Sequence, residues 1–574
     1  MIQTASFVAC TVKSSLKTTL PLRSSILIVP GPGPAVVAEA LAHRTGGVAE
    51  LRALIDRQPR RTLVMAASLS EADGISVALD GAILNATELR TELGRHGVAL
   101  AAANDAELLV CAYRYWDKEL VKRLRGAFAF ALWDARKDRL MLARDRYGQK
   151  PLHLYQAPGV LYFASEVKAL LRAPGLKAQV DGAAVSDYLA LGYVRGPRTL
   201  VSGVRKLAPG SYALWQFGHL RETRYWTPPD GDSNVARSAV REPVEGFIAR
   251  LDEAVRLHMD GECPVGLLLS GGYDCAAIVA LMKRHRDRVA TFSAGFADDP
   301  ASELPAAARV AKHFGTAHHE IVLARRDVLG ALPQAVARRD APLHRAADVA
   351  LHLLAREAAR EVRIALSGDG GDEILGGYRR HTLLRGFASG ARQVNGLFVV
   401  PLAQPKEPAP AEGTTSALRR ILYYEQVSWL ADSLLERTDR VTAAASLELR
   451  APFLDHRLAE YVSALPDAAR VRGLSTKWIL RRADERLLAG APLKPRKAGF
   501  RIPLGDLMRT EARELVVDHL RGAGCRTRAY CDGAVLDRLI DEHLAGKRNH
   551  EHTLWTLLNL EIWHRTLAST SRRA

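Results

Sequence analysis

Residues 264–282 read PVGLLLSGGYDCAAIVALM, and the parsing of that run decides the fold of the larger part of the chain. An apolar strand closes at Ser270, Gly271 and Gly272, and an apolar-periodic helix begins near Cys275. The glycine pair lets the backbone approach a ligand and take positive φ, while the helix N-terminus offers free N–H groups and a positive dipole to an anion. Pyrophosphate is the natural guest of such a cradle. The pattern GxxxxGK[ST] is absent, so the loop differs from that of the motor and GTPase classes. By itself, a glycine pair after a strand reads equally well as an ordinary turn.

Residues 362–378, VRIALSGDGGDEILGGY, decide between those readings by repeating the architecture: a buried strand ends in Ser367 and Gly368, and Asp369, Asp372 and Glu373 follow in a glycine-rich loop. Two such strand ends in one parallel sheet can face one crevice, where doubly wound folds place ligands. Either Asp274 or Asp372 alone reads as a helix cap. Together they suit magnesium, which takes a few carboxylates plus phosphate oxygens.

Outward from these loops, PVGLLL, VATFSAGF, HHEIVL and VRIALSG are strand candidates separated by helical patterns, which predicts a parallel sheet with helices on both faces. From about Ala411 the pattern reads as helical to the end. From about Leu63 to Tyr225 the short segments AFAFALWD, RLMLARD and VLYFASE, punctuated by Gly and Asp, predict antiparallel packing. Between these parts TPPDGDSNVARS reads as a linker. The expected domains are therefore 1–226 and 243–574, joined by 227–242.

The 574 residues suit two or three domains, at about 100–200 residues each. Hydrophobic residues at 48% and charged residues at 25% exclude a disordered or fibrous chain. The net charge of +17 comes from arginines scattered along the chain rather than gathered with aromatics in a basic stripe, which argues against nucleic-acid binding. Six cysteines without a CxxC pair fit a reducing cytosol, and no apolar run reaches the roughly 18 residues of a membrane span. A cytoplasmic protein is expected.

SGGYDC resembles the SGGxDS pyrophosphate motif of the asparagine synthetase family, and LSGDGGDEILGGY its second signature. The similarity continues through TFSAGF, GTAHHE, SLELRAPFLD, KWILRRA, RKAGFRIPL and LWTLLNLEIWHR. In the first half it runs through RLRGAFAFALWDARKDRLMLARDRYGQKPL, YFASEVKALL and VRKLAPGSY. The resemblance implies an α/β fold: an N-terminal glutaminase-like α/β/β/α sandwich and a C-terminal parallel-sheet synthetase domain of the ATP-pyrophosphatase type. That second domain activates a carboxylate as its acyl-adenylate, and an amine displaces AMP. The family pattern sets adenosine against Leu268, Ala294, Ser367 and Gly368, the phosphates on Ser270, Gly271, Gly272, Asp274 and Cys275, and magnesium on Asp274 and Asp372. Lys477 and Lys497 match its phosphate-neutralising lysines, and Asp369 keeps an acid where β-lactam synthetases carry Tyr. Cys275 stands where Ser is usual, a weaker donor to one phosphate contact.

The glutaminase half departs from the pattern. The family needs Cys directly after the initiator Met; position two is Ile2, and Cys10 lies inside FVACTVK. NGEIYN appears as DGAILN, which puts Asp80 at the oxyanion-binding Asn and Ala82 at the substrate-binding Glu, although Asp105 is kept. No Arg-Leu-Ser segment appears in LVMAASLSEADGIS. Internal ammonia supply is not expected.

β-lactam synthetases and lasso-peptide cyclases resemble asparagine synthetase, lack that Cys, and join carboxylate and amine within one molecule. The expectation is thus a macrolactam-forming cyclase of antibiotic-type biosynthesis, with ATP and Mg²⁺ and a small peptide or amino-acid carboxylate as substrate. Expected partners are a precursor-processing protease or leader-binding protein, and a second copy in a homodimer. The alternatives are an ammonia-dependent asparagine synthetase and an inactive scaffold subunit. One further departure, DEPFADPSAIP written as DAPLHRAADVA, keeps Asp340 and Pro342 and introduces His344 and Arg345, read either as a reshaped acceptor pocket or as solvated surface variation.

Overall fold

The computed structural model describes residues 27–29, 62–64, 68–72, 74–98, 104–229, 242–261, 263–296, 299, 302–383, 397–402, 416–488, 490 and 504–573. The chain forms two compact units: Met1–Asp181 with Gly196–Thr227 and Thr570–Ala574, and Gly182–Arg195 with Pro228–Ser569.

In the first unit β1 (Leu27–Val29) and β2 (Thr62–Val64) form an antiparallel pair. A larger antiparallel sheet contains β3 (Ser68–Ala72), β4 (Ile75–Ile83), β5 (Gly126–Asp134) and β6 (Arg139–Arg144), whereas β7 (His153–Ala157), β8 (Val160–Ala164) and β9 (Val204–Lys206) form a smaller one. β10 (Ser211–Gln216) and β11 (His219–Arg224) complete the larger sheet in the order β11-β10-β6-β5-β4-β3, and the smaller runs β8-β7-β9. The two-residue period of β5 explains the layers. Phe128, Phe130 and Leu132 meet Leu108, Val110 and Tyr113 from helix Asp105–Trp116 in one core. Ala129, Ala131 and Trp133 meet Leu154, Leu161 and Phe163 of β7 and β8 in another. Both faces of β5 are thereby buried, and truncating Phe130 to Ala would cost about 3–5 kcal/mol. This layering is that of a glutaminase-like sandwich.

The second unit is built on β12 (Val265–Leu268), β13 (Ala290–Phe296), β14 (Ala317–Leu323), β15 (Ile364–Leu366) and β16 (Glu448–Arg450), all parallel, in the order β14-β13-β12-β15-β16. The first four strands are those the apolar runs predict. β16 corrects the expectation of an all-helical end: three residues, Glu448, Leu449 and Arg450, are too few to show a period, and they become a strand only because β15 offers them an edge. Ala355 and Ala358 of helix Ala347–Ala358 pack with Phe292, Val362, Ala365 and Leu447. Helix Gly182–Leu191 also belongs to this unit, where the Tyr188 hydroxyl donates to the carbonyls of Leu343 and Thr556 at 3.1 and 3.2 Å. No described helix is long and apolar enough to cross a membrane.

Candidate active site

Strand order reverses at β12: β13 and β14 lie on one side, and the later β15 pairs on the other, with Leu267 opposite Leu366. Their carboxyl ends therefore lie side by side at a topological switch point, where open parallel sheets bind ligands. After β12 the chain turns through Ser270 and Gly271 into helix Tyr273–His285, with Asp274 in its first turn. After β15 it turns through Ser367 to Gly370 into helix Gly371–Leu375, with Asp372 in its first turn.

Lys477 joins these two carboxylates. Its Nζ lies 2.6 Å from both oxygens of Asp274 and 2.6 Å from Asp372 Oδ1, and all three side chains are buried. Lys477 heads helix Trp478–Leu487 with φ of 51°, a left-handed conformation that costs a non-glycine residue about 1–2 kcal/mol. Glycine makes the cluster possible at two positions: a Cβ on Gly377 would fall 1.9 Å from Asp372 Oδ1, and one on Gly371 2.5 Å from Asp274 Oδ1. Two carboxylates with room for phosphate oxygens and water are the donor set a hard divalent cation takes. Among the described residues no cluster of three or more His, Cys, Asp or Glu is placed to hold a metal alone.

The strand ends open on a cavity of about 880 Å³ lined by Leu268, Ser270, Asp274, Cys275, Ala294, Ser367, Gly368, Asp369 and Asp372. Gly271 and Gly272 belong to the adjoining turn, and the Ser270 hydroxyl stands 3.5 Å from both the Cys275 thiol and the Gly272 amide. Ser367 donates to Asp369 Oδ2 at 3.1 Å, which holds that acid against its own loop. Lys497 lies outside the described residues, as do Ile2 and Cys10.

The cavity also contains residues to which the sequence reading assigned no role. Glu373, hydrogen-bonded by the Tyr378 hydroxyl, is pushed up to about 7 by burial and then by the Asp372 charge. Arg437, in a stretch that reads as an ordinary charged helix, pairs with Asp348 at 2.7 Å. His344 and Arg345 line the same cavity, His344 half-buried and Arg345 exposed to solvent. Burial, then the charges of Arg345, Arg339, Arg437 and His552, pull His344 down to about 3, so its ring stays neutral. Its Nδ1 would lie 1.9 Å from a Cβ on Gly192. Only the departure of DAPLHRAADVA from the family pattern pointed to this wall.

In the first unit the loop 144–152 winds around Asp145, whose carboxylate accepts from the amides of Tyr147, Gln149 and Lys150 at 3.0–3.1 Å. That winding sets the Lys150 ammonium 3.7 Å from Asp80 Oδ1, and Ser165 donates to Asp80 Oδ2 at 3.0 Å. Asp80 and Lys150 are both buried. Asp105 accepts from the Ile83 amide at 2.9 Å and lies 3.8 Å from Arg90.

Comparison with known proteins agrees with both units. The asparagine synthase family matches residues 246–565, and the glutamine amidotransferase domain matches 48–226. A putative glutamine-hydrolysing asparagine synthetase of Mycobacterium tuberculosis H37Rv is 33% identical over 86% of this chain and 84% of its own length. Asparagine synthetase 1 of Bacillus subtilis is 29% identical over 85% of each chain, and asparagine synthetase B of Escherichia coli K12 is 26% identical over 77% of this chain and 73% of its own.

Proposed function

The chain belongs to the asparagine synthase family, and from that premise we propose that it closes a macrolactam, joining an activated Asp or Glu side chain to the N-terminal amine of the same small peptide. It is an ATP-dependent, AMP-forming carbon–nitrogen ligase of the asparagine synthetase type. Adenosine lies against Leu268, Ala294, Ser367 and Gly368, and the phosphates against the turn Ser270 to Cys275. Asp274 and Asp372 would hold magnesium, which would screen phosphate charge there. Lys477 draws the two acids together beside the departing pyrophosphate, where a cation stabilises the transition state more than the ground state, and Lys497 acts with it. A substrate carboxylate oxygen bonds to the α-phosphorus as pyrophosphate leaves. The amine then attacks the acyl carbon, AMP departs, and the amine proton passes to a carboxylate on the cavity wall, where Asp369 stands.

The observation that carries the intramolecular reading is the Asp80–Lys150 pair, 3.7 Å apart where the family's glutaminase has a neutral oxyanion donor. A carboxylate there opposes a developing oxyanion, and the lysine that would offset it is already engaged. Ammonia from glutamine is then not delivered, and an activated acyl group awaiting an external amine hydrolyses. A tethered amine escapes that loss, because its effective concentration reaches the order of 10⁵ M when well oriented. The retained Asp369 carboxylate favours a second reading, asparagine synthesis from free ammonia.

Mass spectrometry decides between them. The enzyme is incubated with ATP, magnesium and a synthetic peptide bearing a free N-terminal amine and an internal Asp or Glu, and separately with aspartate and ammonium. The expected product is the peptide less one water. Asparagine from the second mixture with an unchanged peptide in the first would establish the other reading.

A further inference from the structure

Helix Trp478–Leu487, which Lys477 heads, carries a second ionisable group into the buried interior. Asp484 lies two turns beyond Lys477 and so on the same face of the helix. It is 2% exposed, and among the described residues neither of its carboxyl oxygens has a hydrogen-bond partner. A buried polar group left so is costly and calls for a reason. Arg481, one turn earlier, does not serve it: its Nε donates to the Thr476 carbonyl at 2.8 Å, and its guanidinium lies over the Tyr273 ring, 4.4 Å from the centroid. Lys477 does not serve it either, since its ammonium is held by Asp274 and Asp372. Burial, then the charge of Asp274, push the Asp484 carboxyl up to about 9 against the opposite pull of Lys477 and Arg481, so a neutral acid stands within the field of all three.

Lys477 cannot keep its present contacts once a divalent cation takes the same oxygens, because the metal occupies their lone pairs and repels the ammonium. A buried ammonium that loses its acceptors needs others. Resting on the assignment of magnesium to Asp274 and Asp372, we propose that Asp484 is a positioning residue, the acceptor to which the Lys477 ammonium turns when the metal is bound. The lysine then stays beside the phosphates instead of being driven from the site. Its four-carbon stem permits that turn without movement of the helix. The neutral acid accepts through its carbonyl oxygen, so no change in its protonation is required.

Calorimetric binding of a non-hydrolysable ATP analogue to the full-length enzyme, with and without magnesium, tests this on wild type, Asp484→Leu and Asp484→Asn. Magnesium is expected to tighten analogue binding to wild type by about tenfold or more. Asp484→Leu keeps the shape and removes the acceptor, so it should lose most of that gain while binding the analogue without magnesium as wild type does. Asp484→Asn keeps a carbonyl oxygen and should retain the gain to within about threefold. A purely structural role would weaken binding equally with and without the metal, and that result overturns the proposal, as does a full magnesium gain in Asp484→Leu. No magnesium gain in wild type would sink instead the assignment of the metal to the paired acids. Denaturant unfolding without magnesium adds a readout independent of ligand. Asp484→Leu should be at least as stable as wild type, because it removes a buried acid that has no partner. A clear loss of stability would show that Asp484 is already engaged in the metal-free protein and would overturn the proposal.

Discussion

Lys150 in the first unit and Lys477 in the second are both buried and both paired with acid, and on the proposed reading their difference separates a structural residue from a working one. Lys150 pairs with Asp80 at 3.7 Å, an acid that Ser165 also fixes. Lys477 faces two, each at 2.6 Å, at the ends of adjacent parallel strands and beside the cavity. Two acids sharing one lysine attract a further cation and tolerate arriving phosphate only with its help. On the proposed reading the two halves diverge here: the site assigned to carboxylate activation keeps its charges, and the site assigned to ammonia release holds a buried acid, Asp80.

The comparison breaks most visibly at the paired acids. Asp274→Ala and Asp372→Ala are each expected to lower carboxylate-dependent pyrophosphate release by about 10²–10³ or more. Full activity in both would end the assignment of magnesium to that pair. Lys477→Ala should be as inactive and also less stable, by about 3–5 kcal/mol in denaturant unfolding, because two buried acids then face each other unscreened. Asp80→Asn sharpens the contrast from the other side. It removes the carboxylate paired with a buried ammonium, so unfolding should show a loss of about 1–3 kcal/mol, while pyrophosphate release stays at the wild-type rate. A collapse of pyrophosphate release in a folded Asp80→Asn enzyme would erase the distinction between the two lysines.

A smaller effect is expected with pH. His344 is held near 3, below its value of about 6.5 in the unfolded chain, so the unfolded state binds more protons between those values. Its contribution to stability is therefore present above about pH 6.5 and lost as pH falls toward 3. Unfolding midpoints of His344→Gln should fall less steeply than those of wild type across that window, and parallel curves would remove the cationic wall from the explanation. The smallest effect belongs to Cys275→Ser, which exchanges a weak donor for a stronger one and should tighten binding of an ATP analogue by no more than about 1 kcal/mol.

Legibility followed the range of the interactions. Ser270 to Cys275 and Ser367 to Asp372 were readable because glycine turns, strand ends and helix starts are local, and β12 to β15 lie in continuous apolar runs such as PVGLLL and VRIALSG. β16 was not, since its three residues depend on an edge provided by a strand more than eighty positions earlier. The Asp80–Lys150 pair joins residues seventy positions apart, and nothing in DGAILN or RYGQKPL announces the partner. Arg437 was silent for the same reason, its acid Asp348 lying far back in the chain. Arg345 was visible as a departure from the family pattern, but only the cavity showed where that departure points.

The division of labour between the two units is tested most directly by counting pyrophosphate and glutamate in one reaction, with ATP, magnesium, the linear peptide and glutamine as the only added nitrogen source. Pyrophosphate release without glutamate above the buffer background is the predicted result. Glutamate released in step with pyrophosphate would show that the first unit still hydrolyses glutamine, and would contradict the account.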